Sequence, residues 1–188
     1  ILAGPPGHLT AQERFDGFTQ ALTDRDPALC PQHVITSEFT RDGGYQAMRE
    51  LIDQADLTGG EVDAVFAVND VMAVGAMAAA REAGVRVGAD VGVAGFDDIA
   101  TLRDVTPGLS TVQVPLHHAG ALATQLALGA DLDTPEEGVP SGRETTPEGT
   151  GSAATGATAP TVHTGPDGVR VARLSGTVVL RDSTPPRT

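Results

Sequence analysis

The stretch "AVFAVNDVMAVGAMAAAREAGVRVGADVGVAGFDD", residues 64–98, decides the fold. With Asp63 it opens on "DAVFAVND", a continuous apolar run that ends in Asn69-Asp70. Such a run reads as a parallel strand covered on both faces. A helical pattern of small residues follows over Val71–Ala83 and closes at Gly84. A second apolar run, "VGVAGFDD", ends in Asp97-Asp98. Strand, helix and strand make one βαβ unit, which implies a parallel sheet.

The same alternation extends in both directions. "ILAG" reads as a strand ending in the turn cluster Gly4-Pro5-Pro6-Gly7. The next helix carries Phe15, Phe18 and Leu22 on one stripe, with Thr10 and Glu13 spaced as a capping box. "HVITSEF" reads as a second strand, and Arg41–Asp56 as a helix with Met48, Leu51, Ile52 and Ala55 on one face. "LSTVQVP" reads as a fifth strand, and His117–Leu128 as a further helix whose two histidines sit on its exposed first turn. The fold class is therefore α/β, a mostly parallel sheet flanked by helices.

Residues 131–168 break this pattern. They are rich in Thr, Gly, Pro and Ser and poor in large apolar residues. Such a stretch cannot bury enough surface to offset its ordering entropy, so it reads as a disordered insertion. After it, "VRVARLSGTVVLRDST" alternates and reads as one or two closing strands. The expected organisation is a lobe over 1–130, the insertion over 131–168, and closing strands with a tail over 169–188.

Charge limits the partners. The chain has 12 basic residues, all arginine, and a net charge of −13. That surface repels a phosphate backbone, so the chain alone is not expected to bind DNA. No run of 18 apolar residues suggests a membrane span, and Ile1–Gly4 has no basic-then-apolar leader. A single cysteine, Cys30, cannot form an internal disulfide and fits a reducing, cytoplasmic setting. The sequence begins at Ile1, already inside an apolar run, and is expected to be a piece of a longer protein.

In open parallel sheets, ligands bind beyond the carboxyl ends of the strands. Asn69-Asp70 and Asp97-Asp98 fall there, as does the loop after "ILAG". Carboxylates can accept hydrogen bonds from a polar ligand such as a sugar, and an asparagine can both donate and accept. Each residue also has a plainer reading. Asp70 suits the N-cap of its helix, Asp98 suits a cap of the following turn, and Arg14 suits a solvated charge on an amphipathic helix. Gly-x-Ser-x-Gly, a Walker loop and paired histidines at metal spacing are all missing, so neither an enzyme nor a metal or other cofactor is expected.

Four segments stand out together: "ERFDGFTQAL" (13–22), residues 65–99, "TPGLSTVQVP" (106–115) and "VVLRDST" (178–184). They resemble the effector-binding domain of the LacI/GalR family of bacterial transcription repressors. The resemblance implies the C-terminal part of a two-lobed domain shaped like type I periplasmic sugar-binding proteins. It also implies that the helix over 117–130 belongs with the first lobe, and that a helix-turn-helix preceding this chain contacts operator DNA. The implied partners are a small-molecule effector, expected to be a carbohydrate, and a second copy in a homodimer. Carried over position by position, the effector contacts are Arg14, Asn69 and Asp97. At the position of a family glutamine near the ligand this chain has Val114, with Gln113 one residue early, which in a strand points to the other face. A solute-binding protein of a sugar ABC transporter shares the fold and the strand-end clusters, and is the alternative function.

Overall fold

The computed structural model describes residues 1–27, 31–129, 160–164 and 166–185. Its order is β1 (Leu2–Ala3), α1 (Leu9–Arg25), β2 (Ile35–Thr36), α2 (Arg41–Gln54), β3 (Ala64–Phe66), α3 (Asp70–Glu82) and β4 (Gly92–Ala94). A 3₁₀ turn (Ala100–Asp104), β5 (Thr111–Gln113), α4 (Leu116–Ala127), β6 (Thr161–Thr164), β7 (Arg170–Arg173) and β8 (Thr177–Val179) complete it. Two compact units result: Ile1–Gln113 with the chain from Val178 onward, and a second unit within Val114–Thr177.

In the first unit, β1 pairs with β2 and β3 with β4, all parallel. Single parallel bridges, Leu2 to Ala67 and Ala94 to Ser110, continue the pairing. The spatial order is thus β2-β1-β3-β4-β5, with β8 beside β5. The chain moves outward from β1 to β2, then back across to β3. Right-handed crossovers therefore put α1 on one face and α2 and α3 on the other. Phe66 meets α1, where Phe18 stacks on it at 4.4 Å between ring centroids. Leu2, Met48, Leu51, Val65, Val68, Met72, Val91, Val93 and Leu109 are among the large apolar side chains of the core.

The small residues of α3 have a packing cause. At Gly75 an added Cβ would run into the Arg41 carbonyl, and at Gly44 into that of Met72. Glycine on both helices lets α2 and α3 approach backbone to backbone.

Several expected boundaries move. His8 is the N-cap of α1 and makes no side-chain cap bond, so Thr10 and Glu13 lie inside the first two turns and form no capping box. The Pro5-Pro6-Gly7 turn sets that start instead, with Gly7 at φ 83° and the His8 amide on the Pro5 carbonyl. In α4 the two histidines are exposed near the N-terminus, as expected.

In the second unit, β6 pairs antiparallel with β7, from Thr161 opposite Arg173 to Thr164 opposite Arg170. The expected disordered insertion therefore extends too far. Val162 lies opposite Ala172, an alternation that the surrounding threonines, glycines and prolines hide in composition alone. Residues 131–159 and 165 of that expectation, and Cys30, lie outside the described residues.

Candidate functional site

The order β2-β1-β3-β4-β5 reverses direction between β1 and β3. At that switch point the following helices lie on opposite faces, which opens a crevice at the carboxyl edge of the sheet. The first turns of α1 and the ends of β3 and β4 meet there.

Arg14 comes from α1. It stands one turn before Phe18, so the packing of Phe18 on Phe66 turns Arg14 toward the sheet edge. Its Nη1 donates to the Val68 carbonyl at 2.9 Å, at the end of β3. Nη1 and Nη2 donate to the two oxygens of Asp97, at 3.2 and 2.6 Å. The guanidinium also lies over the Phe96 ring, 4.3 Å from its centroid. The solvated-charge reading of Arg14 therefore fails. Both members of the pair stay within reach of a ligand, with side chains 14% and 25% exposed.

Asn69 is the N-cap of α3, accepting from the Met72 amide on Oδ1 at 2.7 Å. The cap bond leaves the Nδ2 donors uncommitted. This corrects the expectation for Asp70, which is not the cap. Asp70 is the first helical residue, fully buried, and its carboxylate turns under the sheet edge. Oδ1 accepts from the Thr111 hydroxyl at 2.6 Å, and Oδ2 from the Ile99 amide at 3.0 Å. Burial, with the neighbouring Asp97 charge, holds its carboxyl above the ordinary 3.8, while the bonds from Thr111, Ile99 and Asp98 pull the other way. Gly95 has to be glycine because a Cβ there would strike Asp70 Oδ1.

Asp97 and Asp98 both have positive φ, at 121° and 56°. Aspartate tolerates the second value, but the first is sparsely populated for any L-residue with a side chain. Asp98 caps no turn, since Ile99 is the cap residue of the 3₁₀ turn. Instead it accepts from Arg181 Nη2 on Oδ1 at 2.7 Å and from Gln113 Nε2 on Oδ2 at 3.0 Å. Gln113 thus faces Asp98.

Three of these groups escaped the sequence reading. Thr111 and Arg181 had signals, a hydroxyl on a buried strand and an arginine in the closing motif, but their partners are 41 and 83 residues away. Phe39 had none. It stacks with His8 at 4.5 Å between centroids, giving an aromatic pair after the ends of β1 and β2. Among the described residues no group of His, Cys, Asp and Glu could hold a metal ion, and no helix is long and apolar enough to cross a membrane.

The periplasmic binding protein-like domain family matches residues 1–149. Among curated proteins, the HTH-type transcriptional repressor PurR of Proteus mirabilis (strain HI4320) is 33% identical over 137 residues, covering 73% of this chain and 39% of that protein. PurR of Pasteurella multocida (strain Pm70) is 35% identical over 126 residues, 67% of this chain and 36% of its own length. Among solved structures, the lac repressor dimer bound to operator and the anti-inducer ONPF aligns with a TM-score of 0.60 and 30% identity, over 70% of this chain and 45% of that one. The Escherichia coli transcriptional repressor ascG aligns with a TM-score of 0.58 and 31% identity, over 69% and 47%. The chain thus spans about two fifths of the curated relatives it matches. It belongs to the periplasmic binding protein-like domain family, and over about 70% of its length it is similar to transcriptional repressors of the LacI family.

Proposed function

We propose that this chain is the effector-sensing part of a cytoplasmic, homodimeric repressor, whose operator contacts come from a helix-turn-helix outside this chain. The effector is a small polar molecule, with a sugar as the first candidate, held by Arg14, Asn69 and Asp97. In this reading residues 1–113 and the closing strand form most of one lobe, and the helix over 117–130 belongs with the other. The single observation that carries the proposal is the Arg14–Asp97 pair, which is half-buried at the switch point and bidentate.

The chemistry follows from the pair. Asp97 holds one arginine but keeps lone pairs for ligand hydroxyls, and Arg14 keeps N–H groups that are not pointed at Asp97. Asn69 Nδ2 adds a neutral donor. The Phe39 ring supplies an apolar face for the C–H side of a sugar ring. An effector closing the crevice would favour one of two lobe arrangements and shift the spacing of paired DNA-binding heads, which is a coupling between two sites.

The test is a thermal-shift screen of the full-length protein with D-ribose, D-galactose, D-glucose and their phosphates. A compound that raises the melting temperature of the parent, but not of Arg14→Met, supports the reading. A response of equal size in both proteins puts the ligand elsewhere.

A further inference from the structure

Asp98 sits between the two connections that join the first unit to the remainder of the chain. Gln113 is the last residue of that unit before the chain leaves it, and Arg181 follows three residues after the chain returns at Val178. Each donates to a different oxygen of Asp98.

The return segment is stapled beyond this one ion pair. Arg181 Nη1 donates to the Leu109 carbonyl at 2.7 Å, and its own amide donates to Ser110 Oγ at 2.8 Å. Ser183 is fully buried, donating through Oγ to the Val93 carbonyl at 2.6 Å and accepting there from the Ser110 amide at 2.8 Å. The guanidinium that holds Asp98 is therefore fixed to the segment just before β5, and the chain that carries it is tied to β4 through Ser183.

The neighbouring residue makes that grip consequential. Asp97 has φ 121°, and strained backbone of this kind persists only where its surroundings over-determine it. Three restraints surround it. Its own amide donates to the Val112 carbonyl at 2.9 Å, the Ile99 amide donates to Asp70, and Asp98 is clamped. Of these, only the clamp acts through side chains of the exit and return segments.

Resting on the effector reading above, we propose that Asp98, gripped by Gln113 and Arg181, is the positioning residue of the site. It holds Asp97 in the strained conformation that meets Arg14, and it ties the effector-binding loop to both chain connections. Effector occupancy and the set of these two connections are then one equilibrium.

The test reads Arg14 directly and requires no effector. In the full-length protein uniformly labelled with ¹⁵N, the bonds to Asp97 and Val68 and the stacking on Phe96 should hold the Arg14 guanidinium. Its Nη protons should then resolve separately and carry ring-current shifts. Arg181→Met should merge these signals and move the Asp97 amide, and Arg181→Lys should restore part of the pattern. Gln113→Ala removes one bond at an exposed residue and should give a smaller change in the same direction, so it serves even if Arg181→Met fails to fold. Ile52→Ala, a loss of packing far from the loop, should lower the melting temperature and leave the Arg14 signals unchanged. If Arg181→Met leaves the Arg14 and Asp97 signals as in the parent, or if Arg181→Met fails to fold and Gln113→Ala leaves them so, Asp98 is only a structural staple and the proposal is overturned. A sugar screen without any response would instead count against the effector reading, since the arginine spectra do not depend on it.

Discussion

Asp70 accepts a 2.6 Å hydrogen bond from Thr111, joining the start of α3 to β5 beneath the loop that carries Asp97. Both side chains are buried, and the second Asp70 oxygen takes the Ile99 amide. Asp70→Ala would leave that hydroxyl and amide without their partner. An unsatisfied buried group costs about 1–3 kcal/mol, so two of them should cost about 2–6 kcal/mol in chemical denaturation.

The same carboxylate sets a pH dependence. Burial raises its pKa in the folded chain above the ordinary 3.8, so between the two values the folded state binds more protons than the unfolded one. Stability therefore falls as pH rises from 3.8 through the raised value, and is level above it on this account. Asp70→Asn keeps the shape and has no such titration. Urea melts of both proteins across acid pH should show the parent losing stability relative to Asp70→Asn as pH rises, and no difference in slope would contradict the assignment.

Asn69 has two separable roles. Asn69→Ala removes the cap on the Met72 amide and should cost about 1 kcal/mol. Asn69→Asp keeps an accepting oxygen at the helix start, so stability should be largely retained, while the Nδ2 donor is lost. Thermal melts beside effector titrations distinguish them. Effector affinity retained in Asn69→Asp would leave Asn69 as a cap only.

The α2–α3 contact admits no Cβ. Gly75→Ala would drive a methyl into the Arg41 carbonyl, and backbone cannot swing aside as a side chain can. Overpacking of this kind costs about 1–3 kcal/mol or more. Circular dichroism melts should place Gly75→Ala well below the parent, whereas Gly17→Ala, which meets nothing within 4 Å, should be neutral or slightly stabilising.

Much of this fold was legible because the apolar runs and helical stripes are long and local. β3, α3 and β4 stand where the periodicity put them, and Asn69, Asp97 and Arg14 all reach the carboxyl edge. What stayed hidden is non-local. Nothing near Asp98 signals that Arg181 returns to hold it 83 residues later, and nothing near Asp70 signals Thr111. The preference of aspartate for helix starts pointed to Asp70 as the cap, but the asparagine before it caps the helix and sends Asp70 inward. β6 was missed because its alternation spans only Thr161–Thr164 inside a stretch whose composition argues for disorder.

The measurement that bears most directly on the central claim is isothermal titration of the full-length protein with its best-binding compound from the sugar screen, repeated on Asp97→Asn and on Asp98→Ala. A charge-assisted hydrogen bond is worth about 1.5–3 kcal/mol. Losing the Asp97 charge should therefore weaken binding about 10- to 100-fold, with operator binding largely kept. Asp98→Ala should weaken binding less, through the displaced Asp97. Unchanged affinity in Asp97→Asn, with a lowered melting temperature, would make the Arg14–Asp97 pair a structural bridge and contradict the assignment of this crevice as the effector site.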